Sequence, residues 1–218
     1  NRPLFPGIPY NCVNGRGQLG KWGPNHAADP LAITYFRIGL VKYPFVLVIQ
    51  RMNGEWALPG GMVDSGESIT DTVIRELKEE AVECPDGFVE ENIQKSQHVL
   101  YRGINWHDPR NTFNAWMETC VVLFELPYFS LYLRPQKEET LHSKWLDLRS
   151  NERLLYSDHG YYLTLARKHL GVNSFSTFDH LVFKEINKWD YIFDYFVENS
   201  FNFVLLFVSF YLLFGSAF

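Results

Sequence analysis

A chain of 218 residues carries 20 basic and 25 acidic side chains, for a formal net charge of −5, and has room for one domain plus extensions. That balance excludes broad nucleic-acid binding, which requires a basic surface. Three widely spaced cysteines, Cys12, Cys84 and Cys120, exclude a disulfide framework and a cysteine metal motif, and are expected as buried free thiols of an intracellular protein.

Residues 1–30 are rich in Gly and Pro and lack hydrophobic periodicity, which predicts an extended arm laid on the domain. The arm has no apolar leader run and opens on Asn1 rather than Met, so the N-terminal end is expected to be truncated or processed. Phe45 to Ile49 form a continuous apolar run between Pro44 and Gly54 and predict a buried strand. Trp56, Ala57 and Leu58 predict a short strand running into a glycine loop. Behind that loop Val73, Ile74, Leu77 and Ala81 recur at helical spacing, and Ser68 with Asp71 makes an approximate capping box, so a helix is expected over 68–82. Further strands are expected over 99–102, 115–125 and 144–148, and a last helix over 157–169 with Tyr161, Leu165 and Leu170 inward. There is no internal repeat. Strands alternating with two helices predict an α/β domain with a sheet between helices.

Positions 61–80 carry the most chemistry. A loop containing Gly60, Gly61 and Gly66 precedes a helix bearing Glu76, Glu79 and Glu80, and spacings of three and four put those carboxylates on one face. Crowded like charges repel. A hard cation such as Mg2+ relieves that repulsion by binding carboxylate oxygens and bridging them to phosphate oxygens. A solvated acidic face is the plain alternative for any one glutamate. The loop and the cluster together point to metal-assisted chemistry on a phosphate compound.

Gly61, Glu67, Arg75, Glu76, Leu77, Glu79 and Glu80 resemble the Nudix box, G-x5-E-x7-R-E-U-x-E-E-x-G-U, where U is a bulky aliphatic residue. Val82 and Glu83 depart from its last two positions, which end and pack the helix. The resemblance implies an α/β/α sandwich with a mixed sheet. It also implies Mg2+, or Mn2+ in its place, held by Glu76, Glu79 and Glu80 with support from Glu67. Arg75 would hold a neighbouring glutamate by charge-assisted hydrogen bonds. Glu80 and Arg75 are then catalytic. Residues 15–30 and 108–119 are similar to the animal ADP-ribose pyrophosphatase branch of that family, which is similar in turn to the ADP-ribose-sensing domain of melastatin-type cation channels. Leu155 to His159 add a weaker match. The resemblance runs from about Asn14 to about Leu170, and it divides the chain into an arm (1–30), a Nudix domain (31–170) and a tail (171–218). Phe113 stands where the branch has Asp, which removes a polar contact near the substrate.

Four residues of the flanking motifs are substrate-binding candidates. Arg110 and Asn111 lie in a loop, where a guanidinium suits phosphate; for Arg110 an ion pair with Asp108 is the alternative. His26 has either a polar role at the substrate or a structural one. Trp116 is either core or a plate for adenine. Glu138 and Glu139 lie in a polar loop before Trp145. Nudix enzymes of this type often take a general base from such a loop, so Glu139 is the candidate, against ordinary solvated charge.

The expected reaction is Mg2+-dependent hydrolysis of the ADP-ribose pyrophosphate to AMP and ribose 5-phosphate, with no nucleic-acid partner. Two rivals stay open: a channel-type module that binds ADP-ribose without cleaving it, and a Nudix hydrolase of another nucleoside diphosphate derivative. Vertebrate channel domains of this type alter the Glu-Glu pair that Glu79 and Glu80 keep. The charge-free run Phe201 to Phe218 approaches the length of a membrane span. It is read as a membrane anchor, a helix packed on the domain or a partner, or a non-native end. The expected location is intracellular, cytoplasmic or mitochondrial, with membrane association through that run.

Overall fold

A computed structural model describes residues 2–38, 41–127, 132–133, 140–149 and 155–172, all within one compact unit. The apolar run 201–218 and the loop residues Glu138 and Glu139 lie outside the described residues.

The architecture is built around one long strand, β1 (Gly23–Ile38). Its second half pairs antiparallel with β2 (Val41–Arg51), Ile33 opposite Val46. Its first half pairs antiparallel with β4 (Gly61–Met62), Ala28 opposite Gly61. Along its other edge it runs parallel to β7 (Ala115–Glu125), from Gly23 opposite Ala115 to Ile33 opposite Glu125. β3 (Trp56–Ala57) and β9 (Thr140–Asp147) pair with β2, and β6 (His98–Ile104) closes the β7 edge. The seven-stranded sheet is therefore mixed. β5 (Val82–Glu83) and β8 (Tyr132–Leu133) form a separate two-stranded ribbon.

Helices cover both faces. On one face Ala28, Ala32, Leu47, Cys120 and Phe124 pack against Val73, Leu77 and Ala81 at α1 (Ile69–Glu80) and against Val89 and Ile93 of α2 (Phe88–Ser96). On the other, Leu31, Val46, Val48, Val121 and Leu123 pack against Tyr162, Leu163 and Ala166 of α3 (His159–Leu170). Alternate residues of β1 and β7 thus serve opposite layers, as the pleat of a strand requires.

Four sequence expectations change. Of the three thiols expected to be buried, Cys120 is buried, Cys84 is half-buried and Cys12 is exposed. Residues 23–30, read as arm, are strand: Pro24, Pro30 and the small Ala27 and Ala28 give little β signal, and pairing along both edges overrides it. In the last helix Tyr161 is exposed and Tyr162 is buried, because the buried His159 sets the inward phase as 159, 162, 163 and 166. α2 was not expected; only Val89 and Ile93 turn inward in a mostly polar segment that starts at a left-handed Gly87.

Candidate active site

α1 starts where its capping box dictates. Ser68 Oγ accepts from the Asp71 N–H at 3.2 Å, and the Asp71 carboxylate accepts the Ser68 N–H at 3.2 Å. At the other end Val82, which stands at the last glycine of the box, is buried in β5 opposite Leu133. The chain thus leaves the helix through a strand rather than a glycine cap.

Arg75 is the hub of the acidic face. Its Nε and Nη2 donate to the two oxygens of Glu67 at 2.9 and 3.0 Å, and Nη2 also reaches the Met62 carbonyl at 3.0 Å. Nη1 donates to Glu76 at 2.7 Å and to Glu79 at 3.1 Å. Glu67 accepts further from Thr72 Oγ1 at 2.8 Å and from the Asp64 N–H at 3.1 Å. The Arg75 hydrogen bond, then that of Thr72, holds its carboxyl down at about 2, so it is ionised at any ordinary pH. The same carboxylates push the Arg75 guanidinium further up. Glu80 accepts the Gly60 N–H at 2.8 Å. Glu76 is buried against Gly61, where a Cβ would come 2.6 Å from Glu76 Cδ.

The set offers only carboxylate and carbonyl oxygens, the donors a hard cation selects. Among the described residues no three carboxylates stand close enough to hold an ion as arranged; the positive charge at their centre is the guanidinium of Arg75. The chemistry of the set fits Mg2+, with Glu76 and Glu79 already turned to one cation.

A polar cleft opens beside the same glycines. It is lined by Gly60, Gly61, Asp29, Thr119, Arg51, Asp108, Arg110, Tyr156 and His159, among others. Arg110 forks onto the fully buried Asp108, Nε at 2.9 Å and Nη2 at 2.7 Å. The ion-pair reading of Arg110 is therefore present together with its place in the cleft. The Arg51 guanidinium lies 4.4 Å from the centre of the Tyr156 ring, a cation–π contact. His159 accepts the Leu58 N–H on Nδ1 at 2.8 Å, and burial pushes it down to about 3, so the neutral ring carries its proton on Nε2. Asp29 is 6% exposed and accepts from Thr119 Oγ1 at 2.6 Å. Burial pushes its carboxyl up to about 6.

The other candidates lie elsewhere. Asn111 is fully buried, its amide donating to the Asn105 carbonyl at 2.7 Å and accepting the Met117 N–H at 2.8 Å, so it shapes the loop that presents Arg110. His26 is exposed on β1 with Nε2 3.7 Å from Glu118. Trp116 is buried, packs edge-on to Phe5 at 5.7 Å and donates its indole N–H to Glu118 at 3.0 Å. The structure therefore joins Glu67, Arg75, Glu76 and Glu79, sets Arg110 in the adjoining cleft, and places His26 and Trp116 together around Glu118. Phe113 fixes the N-terminal segment through its backbone, accepting from the Phe5 N–H and donating to the Val13 carbonyl, both at 2.9 Å. Asp29, Arg51, Tyr156 and His159 were not singled out from sequence, although Asp29, Tyr156 and His159 fall inside the motifs quoted for the resemblance.

Comparison with known proteins agrees with this geometry. The NUDIX domain model matches residues 40–165, which includes the whole glycine loop and acidic helix. The chain belongs to the Nudix family. A Caenorhabditis elegans protein named nudix hydrolase 6 is 42% identical over 176 residues, covering 77% of this chain and 64% of its own length. The mitochondrial ADP-ribose pyrophosphatase of Rattus norvegicus is 37% identical, covering 75% of this chain and 53% of its own length. The chain thus spans less than two thirds of these relatives. A solved structure of the NUDIX domain of Shewanella oneidensis NrtR complexed with ADP ribose matches with a TM-score of 0.52 at 26% identity, covering 68% of this chain and 89% of that one.

Proposed function

We propose that this Nudix chain hydrolyses the pyrophosphate bond of ADP-ribose, giving AMP and ribose 5-phosphate, with Mg2+ as cofactor. The observation that carries the reading is the juxtaposition at Gly60 and Gly61: a carboxylate face touches the two glycines on one side and a cleft with Arg51 and Arg110 opens on the other. The first suits a cation and the second an anionic substrate. The rat relative named for ADP-ribose and the NrtR domain solved with ADP ribose support that substrate.

The residues divide the work by charge. Glu76, Glu79 and Glu80 would hold Mg2+, with Glu67 and Arg75 fixing their rotamers. Bound there, Mg2+ supplies positive charge against the pyrophosphate and lowers the pKa of water. Arg110, braced by Asp108, orients a phosphate. A neutral His159 offers a hydrogen bond without a charge. A carboxylate takes the proton of the attacking water; Glu80, on α1, serves that role or metal binding, and Glu139 stays a candidate outside the described residues. His26 and Trp116, on the α1 side with Glu118, are proposed to meet the adenosine half.

Incubation with ADP-ribose, NADH and ADP-glucose at millimolar Mg2+, with chromatography of products, tests the substrate. AMP from ADP-ribose is expected. Tight binding without AMP would favour the channel-type sensor, and preferred cleavage of another compound would favour the second rival. In the same assay Glu79→Gln and Glu80→Gln should each lower turnover roughly 100-fold, about 2.7 kcal/mol of transition-state stabilisation, with melting temperature kept.

A further inference from the structure

The loop that presents Arg110 is fastened to the start of α3 by His107 and Asp158, neither of which lines the cleft. His107 donates to Asp158 twice, from its ring Nδ1 to Oδ1 and from its backbone N–H to Oδ2, the latter at 3.2 Å. Asp158 is buried, whereas the His107 ring is 73% exposed. Asp158 occupies the N-cap of α3, where an aspartate ordinarily turns its carboxylate onto the first amides of its own helix. Here it caps none of them, and both oxygens go to His107 instead. Ser157, one residue earlier, holds a left-handed backbone (φ 51°) that a non-glycine residue adopts at a cost. Its Oγ donates to Asn105 Oδ1 at 2.8 Å. The start of α3 thus forgoes a side-chain cap and accepts an unfavourable backbone in order to reach the loop.

What the pair joins gives it a purpose. His107 immediately precedes Asp108, the buried carboxylate that braces Arg110. Asp158 immediately precedes His159, which enters the same cleft from α3. On its other side the loop is held by β7: the Asn105 N–H donates to the Met117 carbonyl at 2.9 Å, and the Met117 N–H to Asn111 Oδ1 at 2.8 Å. β7 therefore ties the loop to the sheet, and Ser157 and Asp158 tie it to the helix layer. A guanidinium and an imidazole carried by separate elements keep a fixed spacing only when those elements are locked together beside them.

We propose that His107 and Asp158 are positioning residues, an interlock between the β6–β7 loop and α3 that sets the spacing of Arg110 and His159. The proposal rests on the reading of the cleft as a site for ADP-ribose, and it places a control of that site outside the cleft. An exposed ring contributes little to global stability, so the effect of the pair is local. Without the His107 ring the loop drifts from α3 while both stay folded. An asparagine amide places its Nδ2 where the imidazole has Nδ1 and can make the same bond.

Amide hydrogen exchange and calorimetric titration with ADP-ribose, on the same full-length variants, test the interlock. His107→Ala should speed exchange over 105–111 and in the first turn of α3, with melting temperature little changed. Its affinity for ADP-ribose without divalent metal, where nothing turns over, should fall roughly threefold or more, the scale of coupling between residues in contact. Mn2+ affinity at the acidic helix should not move. His107→Asn should restore both exchange and affinity. Asp158→Ser keeps a capping side chain at the helix start and should still lose affinity as His107→Ala does. The two changes combined should lose no more than either alone, because each removes the same contact. If Asp158→Ser does not fold, the two His107 variants decide. A merely structural role would lower the melting temperature and leave affinity alone. Unchanged exchange or unchanged affinity in His107→Ala, an equal loss in His107→Asn, or additive losses in the double variant overturns the proposal. A native chain that binds no ADP-ribose overturns the substrate reading instead, and the exchange comparison still decides whether the interlock exists.

Discussion

Burying Asp29 has a cost. Burial, partly offset by Thr119 and Arg110 and reinforced by the negative Asp108 and Glu76, pushes its carboxyl up to about 6 from 3.8. Below about pH 4 the folded and unfolded chains are both protonated here and the residue is neutral to stability. Between about pH 4 and 6 the unfolded chain ionises and the folded one keeps its proton, so stability is lost as pH rises through that window. At neutral pH the burden is on the order of 2–3 kcal/mol. Asp29→Asn should therefore raise the free energy of unfolding by that order at pH 7.5 without divalent metal, and the gain should vanish near pH 4. Urea denaturation at the two pH values measures it; an equal effect at both would contradict the electrostatic account.

At the scale of elements, the tightest junction is β4 against α1. Gly61 does not need a left-handed backbone, so its constraint is space: a Cβ would sit 2.6 Å from Glu76 Cδ. Gly61→Ala should displace Glu76 from Arg75 and lower turnover roughly 10- to 100-fold, the scale of an ångström-size misplacement, with melting temperature little changed. Mn2+ affinity by electron paramagnetic resonance should fall with it; an unaltered Mn2+ affinity would separate Gly61 from the acidic face. α1 is legible in the sequence because a capping box, an apolar stripe and a glycine loop coincide within twenty residues. Glu67, Arg75, Glu76 and Glu79 are legible for the same reason, since one helix and its entry loop place them all. The cleft is not. Asp29, Thr119, Arg110 and His159 meet through the β1–β7 pairing and the packing of α3, contacts that no local period encodes. The first half of β1 escapes sequence reading because its strand state comes from its neighbours, and the inward face of α3 is misplaced by one residue because a histidine, not an apolar side chain, opens it.

For the whole molecule, the NUDIX match ends at residue 165 and α3 closes at Gly171, with the Val172 N–H donating to the Arg167 carbonyl at 2.9 Å. A chain ending at Asn173 should keep its ADP-ribose turnover within about twofold and be more soluble than the full chain, since a charge-free run of 18 residues is gone. Sedimentation and turnover of the two chains side by side check this; an inactive shorter chain would mean that residues beyond 173 belong to the catalytic unit. The parallel pairing of β1 with β7 has a different kind of consequence, one of timing. Gly23 and Ala115 are neighbours in space and about 90 residues apart in the chain. Loop closure over that distance makes the pairing a late, slow event. On a ribosome adding roughly 5–20 residues per second, β1 waits several seconds for β7 while α1, already synthesised, has only the β1–β4 part of the sheet to pack upon, without Cys120 and Phe124. During that interval the growing chain shows an unmatched strand edge and a half-covered apolar helix face together, so a nascent-chain chaperone has its longest opportunity before β7 emerges.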